Sequence, residues 1–409
     1  MTITTRFAPS PTGFLHLGSV RTALINYAFT RSRGGKFILR IEDTDQTRLV
    51  DGSIQYIKDT VRSLGMKVDL SYQQSDRKDI YQKYADDLIA GDLAYKKDNA
   101  IFVKASSDDS DLIFKDHIKG DINLKYPCKD FVIIKSDGFP TYHFACVVDD
   151  HLMGVTHVFR GSEWITSVPK HIYLYDLFGW DAPSIGHLSV IVKSDGKKLS
   201  KRDKDADLRT YRDNGYMYDS IANYCLLIGH GSLGSLNTEI FTLDSIIPKF
   251  DIKGYGGSNP QFDSGKFLNI NFKHLRNIPD GFYPHIVSKM IGKDVKDGFG
   301  VFLIKNKHRI KCGNDIRDLY RYKDIPVTPD LTDEDQKIVL CVLDDFKESK
   351  DIKSSILSAC DKYAVDKSDK VKIFRLVRGV LVNEDNGPDL QQICDFIGFD
   401  VAVDRLTLV

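Results

Sequence analysis

A chain of 409 residues with 42% hydrophobic residues can build more than one packed core, which excludes a disordered or linker-like protein. Lys plus Arg and Asp plus Glu are equal at 57 each, so bulk charge does not mark the chain as a nucleic-acid binder, and any RNA contact has to come from local patches. Seven cysteines at 128, 146, 225, 312, 341, 360 and 394, with no Cys-x-x-Cys pair and no signal-like start or long apolar run, argue against a disulfide scaffold, structural zinc or a membrane, and point to a cytoplasmic setting.

Ile3 to Ala8 is a short, partly β-branched run that predicts a strand, and Pro9, Pro11 and Gly13 forbid its continuation. Val20, Ala23, Leu24, Tyr27 and Ala28 then form one apolar stripe at helical spacing, closed by Gly34-Gly35, and Phe37 to Ile41 predicts a second strand. Strand, glycine-containing loop, helix and strand make one βαβ unit, with His16, Gly18 and Ser19 where the helix begins. Free N–H groups and the positive dipole end make that junction a receptor for phosphate. Residues 1–50 also carry seven Lys or Arg against three Asp or Glu, which is one basic patch.

Ile54, Ile57, Val61 and Leu64 mark a further helical stripe, and Ile80, Tyr84 and Leu88 another, both suited to covering a sheet. Between Asp98 and Asp130 only short strands are expected, around Ala100 to Val103 and Leu112 to Phe114. Val155 to Phe159 predicts a strand whose end presents Arg160-Gly161-Ser162-Glu163-Trp164. Leu188 to Val192 predicts another, followed by a Ser194-Asp195-Gly196 turn and the charged loop Lys197-Lys198-Leu199-Ser200-Lys201-Arg202. Each of the two motifs, taken alone, has an ordinary reading: a Pro-Ser-Pro-Thr-Gly turn beside a His occurs in proteins that bind no nucleotide, and a charged loop is by default solvated.

Taken together, His16-Leu17-Gly18 and Lys198-Leu199-Ser200-Lys201-Arg202 resemble the two signatures of class I aminoacyl-tRNA synthetases. Arg6 to Gly13, Arg40-Ile41-Glu42-Asp43-Thr44-Asp45 and Val147 to Gly154 resemble bacterial-type glutamyl-tRNA synthetases more narrowly, in the right order and over nearly the whole chain. Ala8-Pro9-Ser10-Pro11 stands where glutaminyl and archaeal-type glutamyl enzymes resemble Pro-Pro-Glu-Pro, and Ser19 replaces the last His of the first signature. The resemblance implies an α/β fold: a Rossmann-like catalytic domain over 1–240 with a short insertion at about 98–130, a stem-contact region over 241–325 and an all-helical anticodon-binding domain over 326–409.

It also implies the chemistry. Glutamate is activated by ATP with Mg²⁺, with no zinc, and is passed to the 3′ end of tRNA-Glu by a monomeric ligase. His16, Lys198 and Lys201 are the implied catalytic residues, and Pro9, Gly18, Ser19, Leu199 and Ser200 join His16 and Lys201 around ATP. Arg6, Ala8, Ser10, Glu42, Tyr142, Cys146 and Arg160 are implied for glutamate, and a guanidinium such as Arg6 suits a carboxylate because it offers two parallel bonds. For Glu42 a plain pair with Arg40 stays open, for Tyr142 a core position, and for Cys146 packing is favoured over chemistry. Asp43, Asp45, Glu163, Trp164 and Arg378 are implied for tRNA.

Beyond residue 330 the pattern becomes helical. Thr332 to Asp335 reads as a cap for a helix with Ile338, Val339, Val342, Leu343 and Phe346 on its apolar face. Ile352, Ile356, Cys360 and Tyr363 mark a second helix, and Val371 to Val382 a third, which carries Lys372, Arg375 and Arg378 over part of one face. The insertion is shorter than the family pattern, which leaves the acceptor-end contacts open, and so is this domain, which leaves room for charging of tRNA-Gln as well as tRNA-Glu. An RNA-binding paralogue without aminoacylation activity is the alternative from another class. Intact His16, Glu42, Tyr142, Arg160 and Lys201 argue against it.

Overall fold

The computed structural model describes residues 2–106, 111–199, 203, 205–231, 233, 239–295, 297–325 and 331–408. They divide into two compact units, Met1–Tyr211 with Met217–Ile270 and Arg212–Tyr216 with Asn271–Val409.

The first unit opens with β1 (Thr4–Phe7), α1 (Leu17–Arg31) and β2 (Lys36–Ile41), the βαβ unit that the sequence predicts. Then come α2 (Ser53–Ser63), β3 (Leu70–Gln73) and α3 (Lys78–Ala90). Around and within the insertion lie β4 (Ala94–Lys97), β5 (Ala100–Val103), β6 (Asp111–Asp116), β7 (Gly120–Lys125) and β8 (Phe131–Ile134). After it follow α4 (Tyr142–Leu152), β9 (His157–Gly161), α5 (Val168–Phe178), β10 (Ser184–Leu188), α6 (Leu208–Asp213), α7 (Tyr218–Leu227), α8 (Leu243–Ile246) and the start of α9 (Ser264–Asn277).

β1 pairs in parallel with β2 and β2 with β3, while β9 pairs in parallel with β10. The Thr156 N–H donates to Thr4 O at 2.9 Å, and Thr4 N–H to Thr156 Oγ1 at 2.9 Å, which ties β1 to the start of β9 and gives the order β3-β2-β1-β9-β10. The chain leaves β1 toward β2 on one side, and β9 with β10 fills the other, so the order reverses at β1/β9. A crevice outside the carboxyl ends of strands at such a point is where ligands bind in parallel sheets. The predicted stripe of α1 is buried, but so are Arg21, Asn26 and Thr30 on its other faces, because β1, β9 and α7 all pack on this helix.

Several expectations are displaced. The strand read at Leu188 to Val192 ends at Leu188; Val190 to Val192 instead run beside the charged loop, with Val192 bridged to Lys198 and Gln261. Along α3 the fully buried face is Tyr81, Ala85 and Leu88, with Ile80 and Tyr84 half-buried against the same cluster. Between 98 and 130 β7 stands beyond the two strands expected, and β4 and β8 flank that stretch, both paired to β5. β4 ends in Lys96 and Lys97 and lacks an apolar pattern, whereas β7 alternates Ile122 and Leu124 with Asp121, Asn123 and Lys125, a period-two signal that went unread; β4 is held by pairing to β5 and β7 by pairing to β6.

The second unit is helical: the rest of α9, then α10 (Tyr283–Ile291), α11 (Asp297–Lys305), α12 (Gly313–Tyr320), α13 (Asp333–Ser349), α14 (Ile352–Tyr363), α15 (Lys367–Val382), α16 (Leu390–Ile397) and α17 (Phe399–Thr407). Thr332 caps α13 through the Asp335 N–H, Asp335 returns the bond, and all five predicted apolar residues are buried. On α14 Ile352, Ile356 and Cys360 are buried while Tyr363 lies exposed.

Candidate active site

A cavity of about 640 Å³ opens at the carboxyl ends of β1, β9 and β10, within the size range of small-ligand sites. Ala8, Pro9 and Ser10 follow β1, Arg160 and Gly161 end β9, and Ser189 follows β10, so each strand delivers its last side chains to one place. Arg6, His16, Gly18, Ser19, Glu42, Asp45, Tyr142, Glu163, Trp164, Lys198 and Leu199 complete the predicted residues that line it.

One end is suited to phosphate. His16 is the N-cap of α1: its Nδ1 accepts the Ser19 N–H at 3.3 Å, while the Ser19 hydroxyl accepts the His16 N–H at 3.0 Å. An accepting Nδ1 places the hydrogen of the neutral ring on Nε2, so the His16 side chain brings a donor to the cavity. Gly18 makes room for this ring, since a Cβ there would stand 3.0 Å from both Nδ1 and Cε1 of His16. No acidic side chain occupies the first turn, which leaves the positive dipole end unopposed.

Described residues on both sides of the charged loop are held by backbone bonds. On the near side, Leu199 N–H donates to Ile191 O at 2.9 Å; on the far side, Leu17 N–H donates to Ala206 O at 2.9 Å and His16 bridges Asp207. Lys198 and Leu199, the described part of the second signature, thus line the same cavity as His16 and Gly18. Lys198 is exposed and pairs with Glu163 at 3.3 Å. Ser200 and Lys201 lie outside the described residues.

The other end is a buried lattice of charge. Asp150 Oδ1 accepts from Arg6 Nε at 3.0 Å and from Arg40 Nη1 at 2.6 Å, and Arg40 Nη2 donates to Glu42 Oε1 at 3.0 Å. Burial alone would raise the Asp150 carboxyl, but Arg40 and Arg6 outweigh it and hold the group below the ordinary carboxylate range. For Glu42 the balance reverses, and burial keeps its carboxyl above the usual range despite the two arginines. Arg6 stays charged because Asp150 overcomes the cost of burial. Beneath the cavity, burial and the Asp150 charge push the Cys146 thiol up to about 12, so it is a packed thiol 3.8 Å from Arg6 Nη2 rather than a cavity-lining one. Tyr142 lines the cavity and packs against Trp164 with ring centroids 4.3 Å apart and the planes tilted by 34°.

Arg160 is buried, with Nε 3.2 Å from His187 Nε2, Nη1 3.3 Å from His171 Nδ1, and Nη2 donating to Trp164 O at 3.3 Å. Among the residues implied for tRNA, Asp45, Glu163 and Trp164 line the cavity, whereas the buried Asp43 carboxylate accepts from Gln73 Nε2 and Ser75 N–H at 2.8 Å each and faces away from it. Arg378 belongs to the second unit, where it donates to Pro388 O and shares an open groove with Arg309, Lys370, Phe374 and Arg375. Sequence reasoning passed over Asp150 as the partner of Arg6, and Asp116, His171 and His187 altogether. A pair of acids, Asp149-Asp150, directly after the apolar run Phe144 to Val148 is a signal for buried ion pairs. Among the described residues no group of three or more His, Cys, Asp or Glu side chains stands ready to hold a metal ion.

The family model for class I tRNA synthetases (E and Q), catalytic domain, matches residues 2–101 and 97–268. A glutamate–tRNA ligase of Finegoldia magna is 32% identical over 98% of each chain, and one of Clostridioides difficile is 31% identical over 100% of this chain and 99% of its own. The crystal structure of a glutamate tRNA ligase from Elizabethkingia meningosepticum in complex with its amino acid superposes with a TM-score of 0.81 at 29% identity, covering 100% of this chain and 99% of the other.

Proposed function

The chain belongs to the family of class I tRNA synthetases for glutamate and glutamine, and on that premise we propose how its own residues carry out the reaction. The enzyme is a glutamate–tRNA ligase, and like its family it uses ATP. The observation that carries the residue-level reading is one cavity with two chemically distinct ends: a helix N-terminus with His16 and the charged loop, and a buried arginine pair set in carboxylates.

In this reading the triphosphate lies at the α1 N-terminus, where His16 and the Gly18 N–H donate to its oxygens, the Leu17 and Ser19 N–H groups being committed to Ala206 O and His16 Nδ1. Pro9, Gly18, Ser19 and Leu199 shape that end, and Lys201, with Ser200, acts from the charged loop. Lys198 reaches the phosphates by leaving its exposed pair with Glu163, a contact of the kind that contributes little. Arg6 receives the glutamate side-chain carboxylate, held in place by Asp150 through Nε and by Cys146 Sγ at Nη2, with Nη hydrogens remaining for the ligand. Ala8 and Ser10 line the approach, Glu42 accepts from the ammonium group, Tyr142 forms a wall, and Arg160 takes the remaining carboxylate.

A carboxylate oxygen of glutamate attacks the α-phosphorus, the bond to pyrophosphate breaks, and the negative charge that builds on pyrophosphate is met by Lys201 and His16. A terminal ribose hydroxyl of tRNA then attacks the glutamyl carbonyl, loses its proton, and AMP departs. No covalent enzyme intermediate is needed, so the chain contributes position and charge. Mg²⁺ arrives with the nucleotide as part of the substrate. We assign 1–240 to catalysis, 241–325 to the tRNA stem and 326–409, including Arg378, to the anticodon, with the enzyme a cytoplasmic monomer. Asp45 and Trp164 would meet the tRNA end. The shortened helical part favours acceptance of tRNA-Gln as a second substrate.

The test is charging of separate tRNA-Glu and tRNA-Gln transcripts with labelled glutamate and ATP. Label on tRNA-Glu is required, label on both establishes relaxed tRNA choice, and label on neither rejects the reading.

A further inference from the structure

Arg160 stands at the end of a buried hydrogen-bond chain that starts on the β6–β7 hairpin, in the shortened insertion. Asp116 Oδ2 lies 2.6 Å from His187 Nδ1, with both side chains wholly buried, and His187 Nε2 lies 3.2 Å from Arg160 Nε. On the far side Arg160 Nη1 lies 3.3 Å from His171 Nδ1, and His171 Nε2 lies 3.1 Å from His143 Nδ1.

Donor and acceptor roles follow from the chemistry of the groups. A guanidinium only donates, so His187 Nε2 and His171 Nδ1 must accept. A neutral imidazole carries one hydrogen, so that of His187 sits on Nδ1 and points at Asp116. Asp116 is surrounded by donors: the N–H groups of Ile118 and Lys119 at 2.8 Å each, that of His187 at 3.0 Å, and the imidazole. Burial alone would raise its carboxyl, yet these bonds prevail and keep it below the ordinary range. An ionised Asp116 has no hydrogen to offer. The alternative His187 tautomer would set N–H against N–H at Arg160.

Of the five guanidinium hydrogens, three are committed to His187, His171 and Trp164 O, which leaves one on each Nη as a fork for a carboxylate. We propose that Asp116 is a positioning residue for glutamate binding: through His187 it fixes the imidazole tautomer that accepts from Arg160 Nε and so aims the remaining fork into the cavity. This rests on the assignment of Arg160 to the substrate carboxylate. The hairpin that carries Asp116 is seated on β10 by the His117 N–H to Ile185 O bond of 2.9 Å. Gly186 permits that seat, because a Cβ there would come within 2.7 Å of the Phe159 ring and 3.2 Å of His117 Cβ. Insertion and amino-acid site are thereby mechanically joined.

Steady-state charging by the full-length protein, with glutamate and ATP varied separately, tests the proposal. Asp116→Asn keeps the shape but can present an amide N–H to Nδ1, and should raise the glutamate KM about tenfold while the ATP KM stays within about twofold. His187→Gln, which retains an acceptor toward Arg160, should remain closer to wild type than His187→Leu, and this pair carries the test if Asp116→Asn fails to fold. In an Arg160→Ala background Asp116→Asn should add nothing to the glutamate KM. An unchanged glutamate KM, equal rises for glutamate and ATP, or full additivity with Arg160→Ala would each overturn the role of Asp116. If Arg160→Ala itself leaves the glutamate KM unchanged, the assignment of Arg160 falls, and the proposal with it.

Discussion

In the first unit Arg6, Arg40 and Arg160 are buried together with Glu42, Asp116, Asp149 and Asp150, whereas the face that α13 buries in the second unit is Ile338, Val339, Val342, Leu343 and Phe346. The buried Arg405 of the second unit bonds to carbonyl oxygens of Leu381 and Lys323 and not to an acid. Buried ion pairs gain little net stability over a well-packed apolar core, because desolvation cancels most of the attraction. Their concentration around one cavity therefore marks where geometry and charge matter more than cohesion. Apolar helix faces carry the cohesion elsewhere.

The largest effect that would break this contrast comes from removing one member of the lattice. Asp150→Ala strands Arg6 and Arg40 in the interior and should cost about 3–5 kcal/mol, read as a lowered urea midpoint. A loss well under that would mean the arginines find other partners and the lattice is not a single frame. Acid should separate the units next. His143 and His157 are both held down to about 4, by burial first and nearby cationic groups second. Folded, they stay neutral while the unfolded chain takes up protons near 6.5. Their contribution is complete above 6.5 and is lost as pH falls from 6.5 toward 4, so the melting temperature of the first unit should drop across that window. A flat profile there would show that protons reach these rings in the folded state. The smallest effect belongs to the second unit, where Thr332→Ala removes one half of a capping box and should cost about 1 kcal/mol without altering the glutamate KM.

The same contrast governs what could be read from sequence. The cap at Thr332 and the apolar face of α13 are local, set by residues three and four apart, and both stand where the spacing puts them. The β1–α1–β2 unit is local in the same way. Arg6 with Asp150 spans 144 positions, and His187 with Asp116 spans 71; no periodicity links such pairs, and only the resemblance pointed to Arg6 and Arg160. Glu42 satisfies both of its readings at once, paired with Arg40 and lining the cavity. Val190 to Val192 misled because β-branched residues also suit an extended stretch along a binding site, where Val192 N–H donates to Pro260 O, Val192 O accepts from Phe262 N–H and Ile191 O accepts from Leu199 N–H.

The glutamate KM of Arg6→Lys, measured beside its ATP KM, tests the central claim most directly, since lysine keeps the charge next to Asp150 but loses the planar fork. The account predicts a rise of about tenfold or more for glutamate with the ATP KM nearly unchanged. An unchanged glutamate KM, or an equal rise in both constants, would contradict it.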